Sequence, residues 1–242
     1  MSPLSIAIVG GGHIGKRHLK VLIADSAYRA AAIADPSPAA AALAKEHGVP
    51  YFTDYERMLD EARPDGVIIA VPNALHVAVG LACIEHKIPA LVEKPLADSL
   101  VEARQLVHAA KEANVALLTG HHRRHNPIMA AAAKAIQSGA VGKVTAVNAM
   151  WLSHKPADYF DIAWRREPGE GWHHPLTRKR IPYVPEDAYV AQMRNFAQVI
   201  AGEDAPVMSG EEGLRTLAST LAIAASAKTG QPVRVADVLK NG

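Results

Sequence analysis

Three sets of residues in this sequence are of types, and at spacings, that could do chemistry. Gly10, Gly12 and Gly15 form a Gly-x-Gly-x-x-Gly turn directly after the apolar run Ile6-Ala7-Ile8-Val9. Such a turn, completed by His13 and Ile14 and leading into a helix, brings backbone N–H groups against a pyrophosphate. Gly10 must bend, Gly12 must leave room for the ligand, and Gly15 must let helix and strand close up. Asp35 follows 20 residues after Gly15. At that interval a carboxylate reaches the adenosine ribose hydroxyls of a dinucleotide and repels a 2′-phosphate, which favours NAD over NADP. Asp35 also opens the turn Asp35-Pro36-Ser37-Pro38, so a purely local role stands beside the ribose role. Finally, Glu93-Lys94-Pro95 follows an apolar strand, and a lysine at that strand end would project into a nicotinamide cleft.

Other constellations are weaker. The 12 histidines invite a metal reading, above all His121, His122 and His125. Gly120 and Pro127 argue for a loop there, and no cysteine or paired carboxylate completes a tetrahedral set, so no metal is expected. The sequence has no Gly-x-Ser-x-Gly elbow, which argues against a hydrolase. With 26 Lys+Arg against 24 Asp+Glu, the formal charge of +2 predicts no nucleic-acid partner. Arg178-Lys179-Arg180 reads as a solvated loop. Trp151, Trp164 and Trp172 could line a sugar site or simply pack. The single cysteine, Cys83, lies in an apolar helical pattern and reads as a buried structural thiol in a reducing compartment. With no signal-like segment before the first strand and no apolar run of membrane-spanning length, a soluble cytoplasmic protein is expected.

The elements that must position these residues alternate over the first half. Apolar strands are predicted at 6–9, 30–35, 67–71, 89–92 and 115–119, with a short extended piece at 51–54. Helical periodicity falls between them, with His76 in the helix that follows Val71-Pro72-Asn73. Val67-Ile68-Ile69-Ala70-Val71 is apolar without alternation, as a central parallel strand covered on both faces should be. Pro72 and Asn73 then fall at a carboxyl strand end, where open α/β sheets bind ligands. The expected fold is a doubly wound, Rossmann-type α/β sheet, with a dinucleotide-binding domain over 1–120 and a smaller α+β domain over 121–242. In the second half, helices are expected at 127–138, 187–201 and 210–228, a strand at 143–152, a terminal strand or extended tail at 233–235, and an irregular connection at 153–185.

Taken together, the glycine turn, Asp35, Val71-Pro72-Asn73-x-x-His76, Glu93-Lys94-Pro95 and Gly120-His121-His122-Arg123-Arg124-His125-Asn126-Pro127 resemble the Gfo/Idh/MocA oxidoreductases. The resemblance implies hydride transfer between a nicotinamide and a carbinol carbon of a sugar, cyclitol or related polyol. It implies that Lys94 lies near both nicotinamide and substrate, that Pro72, Asn73, His76 and Glu93 flank the cofactor, and that Arg123 and Arg124 point toward the substrate. Trp164-Arg165 resembles the run-up to the family's substrate helix, but the body of the substrate domain is absent between about Gly171 and Asp187. The family's helical histidine is missing with it. His173 and His174, at the break, are then the candidate proton acceptors, or else a solvated junction. Two readings follow. One is an NAD-dependent polyol dehydrogenase with a shortened second domain, compatible with a homo-oligomer. The other is a catalytically impaired NAD-binding protein with a regulatory or assembly role.

Overall fold

A computed structural model describes residues 2–143 and 184–241. Six parallel strands form one sheet: β1 (Leu4–Val9), β2 (Tyr28–Ala34), β3 (Tyr51–Phe52), β4 (Gly66–Ile69), β5 (Ala90–Val92) and β6 (Leu117–Thr119). Their order is β3-β2-β1-β4-β5-β6, so the chain reverses direction across the sheet between β1 and β4. This is the doubly wound order in which ligands bind outside the carboxyl strand ends at the point of reversal.

β1, β4, β5 and β6 are buried almost throughout, which explains their unbroken apolar runs. Alternate residues feed two cores. Ile6, Ile8 and Ile68 pack with Leu19 and Leu22 of α1 (His13–Ile23) and Ala40 and Ala44 of α2 (Pro38–Glu46). Ala7, Val9, Val67 and Ile69 pack with α3 (Tyr55–Ala62), α4 (His76–Glu85) and α5 (Leu100–Ala113). The helices start on side-chain caps. Ser37, Asp54 and Ser99 accept from backbone N–H groups of the first turns of α2, α3 and α5.

Two compact units emerge, residues 1–127 with 185–242 and residues 128–184. In the second, the described part is mainly α6 (Pro127–Gln137), which presents Ile128, Met129 and Ile136 on its surface. The first unit contains α7 (Ala188–Ile200), α8 (Gly210–Thr229) and α9 (Val235–Asn241). Met193 and Phe196 of α7 complete the core on the α1 side, and Leu217 and Ala218 of α8 complete the other. A boundary at 120/121 would assign these helices to the second domain, whereas their packing groups them with the sheet.

The strand or extended tail expected at 233–235 forms no strand, and Val235 instead opens a helix, α9. Val235, Val238 and Leu239 recur at helical spacing and pack on the core beside α8, which outweighs the β preference of a three-residue run. The expected strand at 143–152 and the irregular stretch at 153–185 lie almost wholly outside the described residues. No helix among the described residues is long and apolar enough to cross a membrane.

Candidate functional site

The glycine turn joins β1 to α1 at the point of strand reversal, and its three glycines do three different jobs. Gly10 has φ +100°, and a Cβ there would lie 2.4 Å from the Ala70 carbonyl oxygen at the end of β4. A Cβ on Gly15 would lie 1.9 Å from the Gly10 carbonyl oxygen, so helix and turn touch through this residue. A Cβ on Gly12, in contrast, would meet no heavy atom within 4 Å. Gly12 is the N-cap of α1 and supplies no side-chain cap, so the first N–H groups of the helix are left for an incoming anion.

The open side of Gly12 faces a cavity of about 690 Å³ whose walls include Gly10, His13, Ile14, Asp35, Tyr55 and Pro72. Its size suits a nucleotide-sized ligand. Asp35 makes the local turn that its sequence context allows and also lines the cavity. Its Oδ1 accepts from the Ser37 N–H at 2.7 Å, which makes the local turn, and its Oδ2 accepts from the Gly11 N–H at 2.7 Å, which ties that turn to the glycine loop. Tyr51 Oη donates to the Asp35 carbonyl at 2.7 Å, fixing the same corner from β3. An ionised carboxylate has further acceptor capacity beyond these two bonds. Asp35→Ala is expected to weaken NAD binding by about 1–3 kcal/mol by leaving hydrogen-bonding groups unpaired. Calorimetry is the measurement, and an unchanged affinity would reduce Asp35 to its turn.

At the end of β4, Pro72 leads into a single 3-10 turn at Asn73–Leu75 and then into α4. His76 is fully buried, with Nδ1 2.8 Å from the Pro95 carbonyl oxygen and Nε2 3.0 Å from the Val71 carbonyl oxygen. Both nitrogens are engaged by backbone. Rather than offering a nitrogen to a ligand, the ring ties the end of β4 to the Lys94–Pro95 segment, whose peptide bond is cis.

Lys94 and Glu93 leave the end of β5 in opposite senses. Lys94 is exposed, whereas Glu93 is buried and turned inward. His18 Nε2–H donates to Glu93 Oε1 at 2.8 Å, and the Lys94 N–H lies 3.3 Å from Oε2. Burial alone would raise the Glu93 carboxyl, but the hydrogen bond and field of His18 outweigh it and hold the group below its ordinary value. Gly120 lets this carboxylate in, since a Cβ there would lie 2.9 Å from Glu93 Cδ.

Beyond Gly120 a short 3-10 turn, His122–His125, presents Arg123 and Arg124 on the surface. His121 and His122 lie within the field of both Glu93 and Lys94, and burial lowers the affinity of each ring for a proton. Burial, reinforced by His122 and Arg124, pushes His125 down to about 4. Burial likewise pushes the Cys83 thiol up to about 12, consistent with an inert core residue.

The structure thus gathers Gly10, Gly12, His13, Ile14, Asp35 and Pro72 around one cavity, with Gly15 behind it. Lys94, Arg123 and Arg124 stand at or just beyond the ends of β5 and β6, on the same edge of the sheet. Trp164, Arg165, His173 and His174 lie outside the described residues. Sequence reasoning missed His18 and Tyr189. The signal for His18 was present: Gly15, His18, Leu19 and Leu22 form a buried stripe at i, i+3, i+4 and i+7, and a histidine on such a stripe must find a partner.

A doubly wound sheet, a glycine turn at its point of reversal, an acid after its second strand and a lysine after its fifth define the dinucleotide-binding Rossmann class. Residues 4–121, just under half of the chain, match the family model for an oxidoreductase family with an NAD-binding Rossmann fold, and this segment belongs to the Gfo/Idh/MocA oxidoreductases. It is 29% identical over 177 residues to levoglucosan dehydrogenase from Pseudarthrobacter phenanthrenivorans, covering 68% of this chain and 45% of that protein. It is 34% identical over 142 residues to inositol 2-dehydrogenase from Rubrobacter xylanophilus, covering 57% of this chain and 41% of that protein. A solved levoglucosan dehydrogenase in complex with NADH and levoglucosan aligns with TM-score 0.54 and 30% identity, over 58% of this chain and 41% of that one. The chain spans about half the length of the curated relatives it matches.

Proposed function

We propose that this protein is an NAD-dependent dehydrogenase acting on a carbinol carbon of a sugar, cyclitol or related polyol. The observation that carries the reading is the cavity lined by both Gly12 and Asp35, where an uncapped helix start and a carboxylate border the same space. The residues fit NAD. The open ledge over Gly12 receives the pyrophosphate, the N–H groups around His13 and Ile14 bind it, and Asp35 receives the ribose. Pro72 and Asn73 border the path toward Lys94. When bound, the nicotinamide supplies a hydride acceptor.

This chain supplies the rest. Lys94 orients the substrate hydroxyl, and Arg123 and Arg124 hold its other oxygens. As the carbinol carbon loses hydride, its hydroxyl proton must pass to a base. His173 and His174 were the sequence candidates. His121 and His122 also qualify, because burial favours their neutral, proton-accepting form and both lie within the field of Lys94. The lone Cys83, buried as a thiol, supports a reducing, cytoplasmic setting. Two copies of the chain, closing the site between them, are compatible with this reading.

The test is a panel of polyols with NAD, followed by the absorbance of reduced cofactor. Wild type is expected to turn over at least one of them, and Lys94→Ala to lose about 100-fold or more of that rate, the scale of a misplaced reacting group. NAD binding without reduction across the panel would replace the enzyme with an NAD-binding protein. Absence of NAD binding would remove both.

A further inference from the structure

The most unusual polar cluster among the described residues lies behind the site, not in it. His18 is fully buried on α1, five residues after the start of the helix that the glycine turn leads into. Its bond to Glu93 joins that helix to the end of β5, one residue from Lys94. The ring of Tyr189, from α7, stands edge-on to His18 at 5.4 Å and 74° and stacks on His122 at 4.1 Å and 17°. Arg17 covers the same tyrosine at 5.2 Å and pairs with Asp187 at the N-cap of α7. One aromatic ring therefore connects the helix after the glycine turn to the turn after β6. Nδ1 of His18 and of His122 is buried without a hydrogen-bond partner.

Such a cluster is costly. A carboxylate buried beside a histidine is weak evidence for stability, because apolar residues of the same volume would usually serve the fold as well. Gly120 is also committed to it, since only a glycine admits the Glu93 carboxylate. A feature that costs stability and lies one residue from Lys94 calls for a role at the site.

We propose that Glu93 and His18 are positioning residues for the dehydrogenase reaction: their buried hydrogen bond locks the strand end bearing Lys94 to the helix of the glycine turn, and Tyr189 extends the lock to His122. The proposal rests on the dehydrogenase reading. Neither residue touches the substrate. Glu93 acts through Lys94, whose N–H it holds, and through His122, whose ring it faces with a negative charge. The other charged and titratable groups around His122 are Lys94 just after β5, Arg123 on its own turn and His18 on α1. His125 on the same turn feels the field of His122, and Tyr189 of α7 stacks on its ring.

The sign of the effect follows from that arrangement. The Glu93 charge favours the protonated His122 ring, so its removal must lower the pH at which the ring titrates. Glu93→Gln keeps the shape and still accepts from His18 while losing only the charge. Histidine-ring NMR on the cofactor-free protein, with His122 assigned by His122→Asn, is expected to show the midpoint in E93Q lower by several tenths of a pH unit. With NAD and the best polyol, kcat is expected to fall about tenfold while KM for the polyol stays within about twofold, the pattern of lost transition-state placement.

A second pair of variants guards against misfolding. His18→Leu breaks the lock, and His18→Gln offers an amide donor to the same Glu93 oxygen, so H18Q is expected to recover most of the rate that H18L loses. A His122 midpoint that does not move in E93Q, or an H18Q variant as slow as H18L, overturns the proposal. If wild type reduces no NAD with any polyol, the dehydrogenase reading fails instead, and the ring titration still decides whether Glu93 governs His122.

Discussion

Gly10→Ala is expected to unfold the protein more easily by about 3–5 kcal/mol and to abolish NAD binding, whereas Gly12→Ala, two residues on, should do only the second. The two positions differ in what surrounds them. At Gly10 the backbone has φ +100°, a conformation that strains an L side chain by about 1–3 kcal/mol. The new methyl would lie 2.4 Å from the Ala70 carbonyl oxygen, 2.6 Å from its carbon and 2.9 Å from the Val71 nitrogen. None of these atoms can yield cheaply, because Ala70 is itself held to β1 by its N–H donating to Val9 at 2.7 Å. To admit the methyl, β1 and β4 must part at the point of strand reversal, and the cavity is deformed with them.

At Gly12 the methyl meets nothing within 4 Å. The cost is that of exchanging glycine for alanine at a helix N-cap, about 1 kcal/mol or less. The methyl nonetheless stands where the pyrophosphate must approach the backbone, so NAD affinity should fall at least tenfold. Urea unfolding and calorimetry on both variants separate the effects. A Gly12→Ala protein that binds NAD like wild type would mean that the phosphates do not lie over this ledge. A Gly10→Ala protein of wild-type stability would mean that the β1–β4 junction is looser than its geometry indicates.

These two glycines also show which parts of the molecule were legible in the sequence. The turn was readable because a backbone constraint leaves a mark on composition: where no Cβ fits, only glycine stands. The central strands were readable for the same kind of reason, since burial on both faces removes alternation from Val67-Ile68-Ile69. Caps such as Ser99 and Asp187 act within three residues of themselves, so what they need lies in the local sequence. What depends on partners distant in sequence was not readable. His76 could be located on a helix after β4, but not that Pro95, 19 residues later, would take one ring nitrogen and Val71 the other. His18 and Glu93 are 75 residues apart and meet only once α1 has packed on the sheet. Gly120 signalled a loop but not its second role, because what forbids a side chain there is the carboxylate of Glu93.

The last helices pose the same problem on a larger scale, and a core substitution tests where they belong. Phe196 of α7 is fully buried, and its ring and the Ile200 side chain close over Gly66 at the start of β4. A Cβ on Gly66 would lie 3.0 Å from Phe196 Cζ and 2.6 Å from Ile200 Cδ1. The ring shares one core with Ile6, Ile8 and Ile68, so residues far along the chain finish a layer that the first strand begins. Phe196→Ala is therefore expected to cost about 3–5 kcal/mol, the transfer term of a phenyl ring plus the cavity it leaves. The loss should appear in the whole first unit, not in one helix. Hydrogen exchange at the β1 and β4 amides should accelerate together with exchange in α7, as it does when elements share one cooperative transition. If exchange rises in α7 alone while the β1 and β4 amides keep their protection, the helices from 188 onward are an appendage, and the division of the chain near residue 120 describes its energetics better than its packing does.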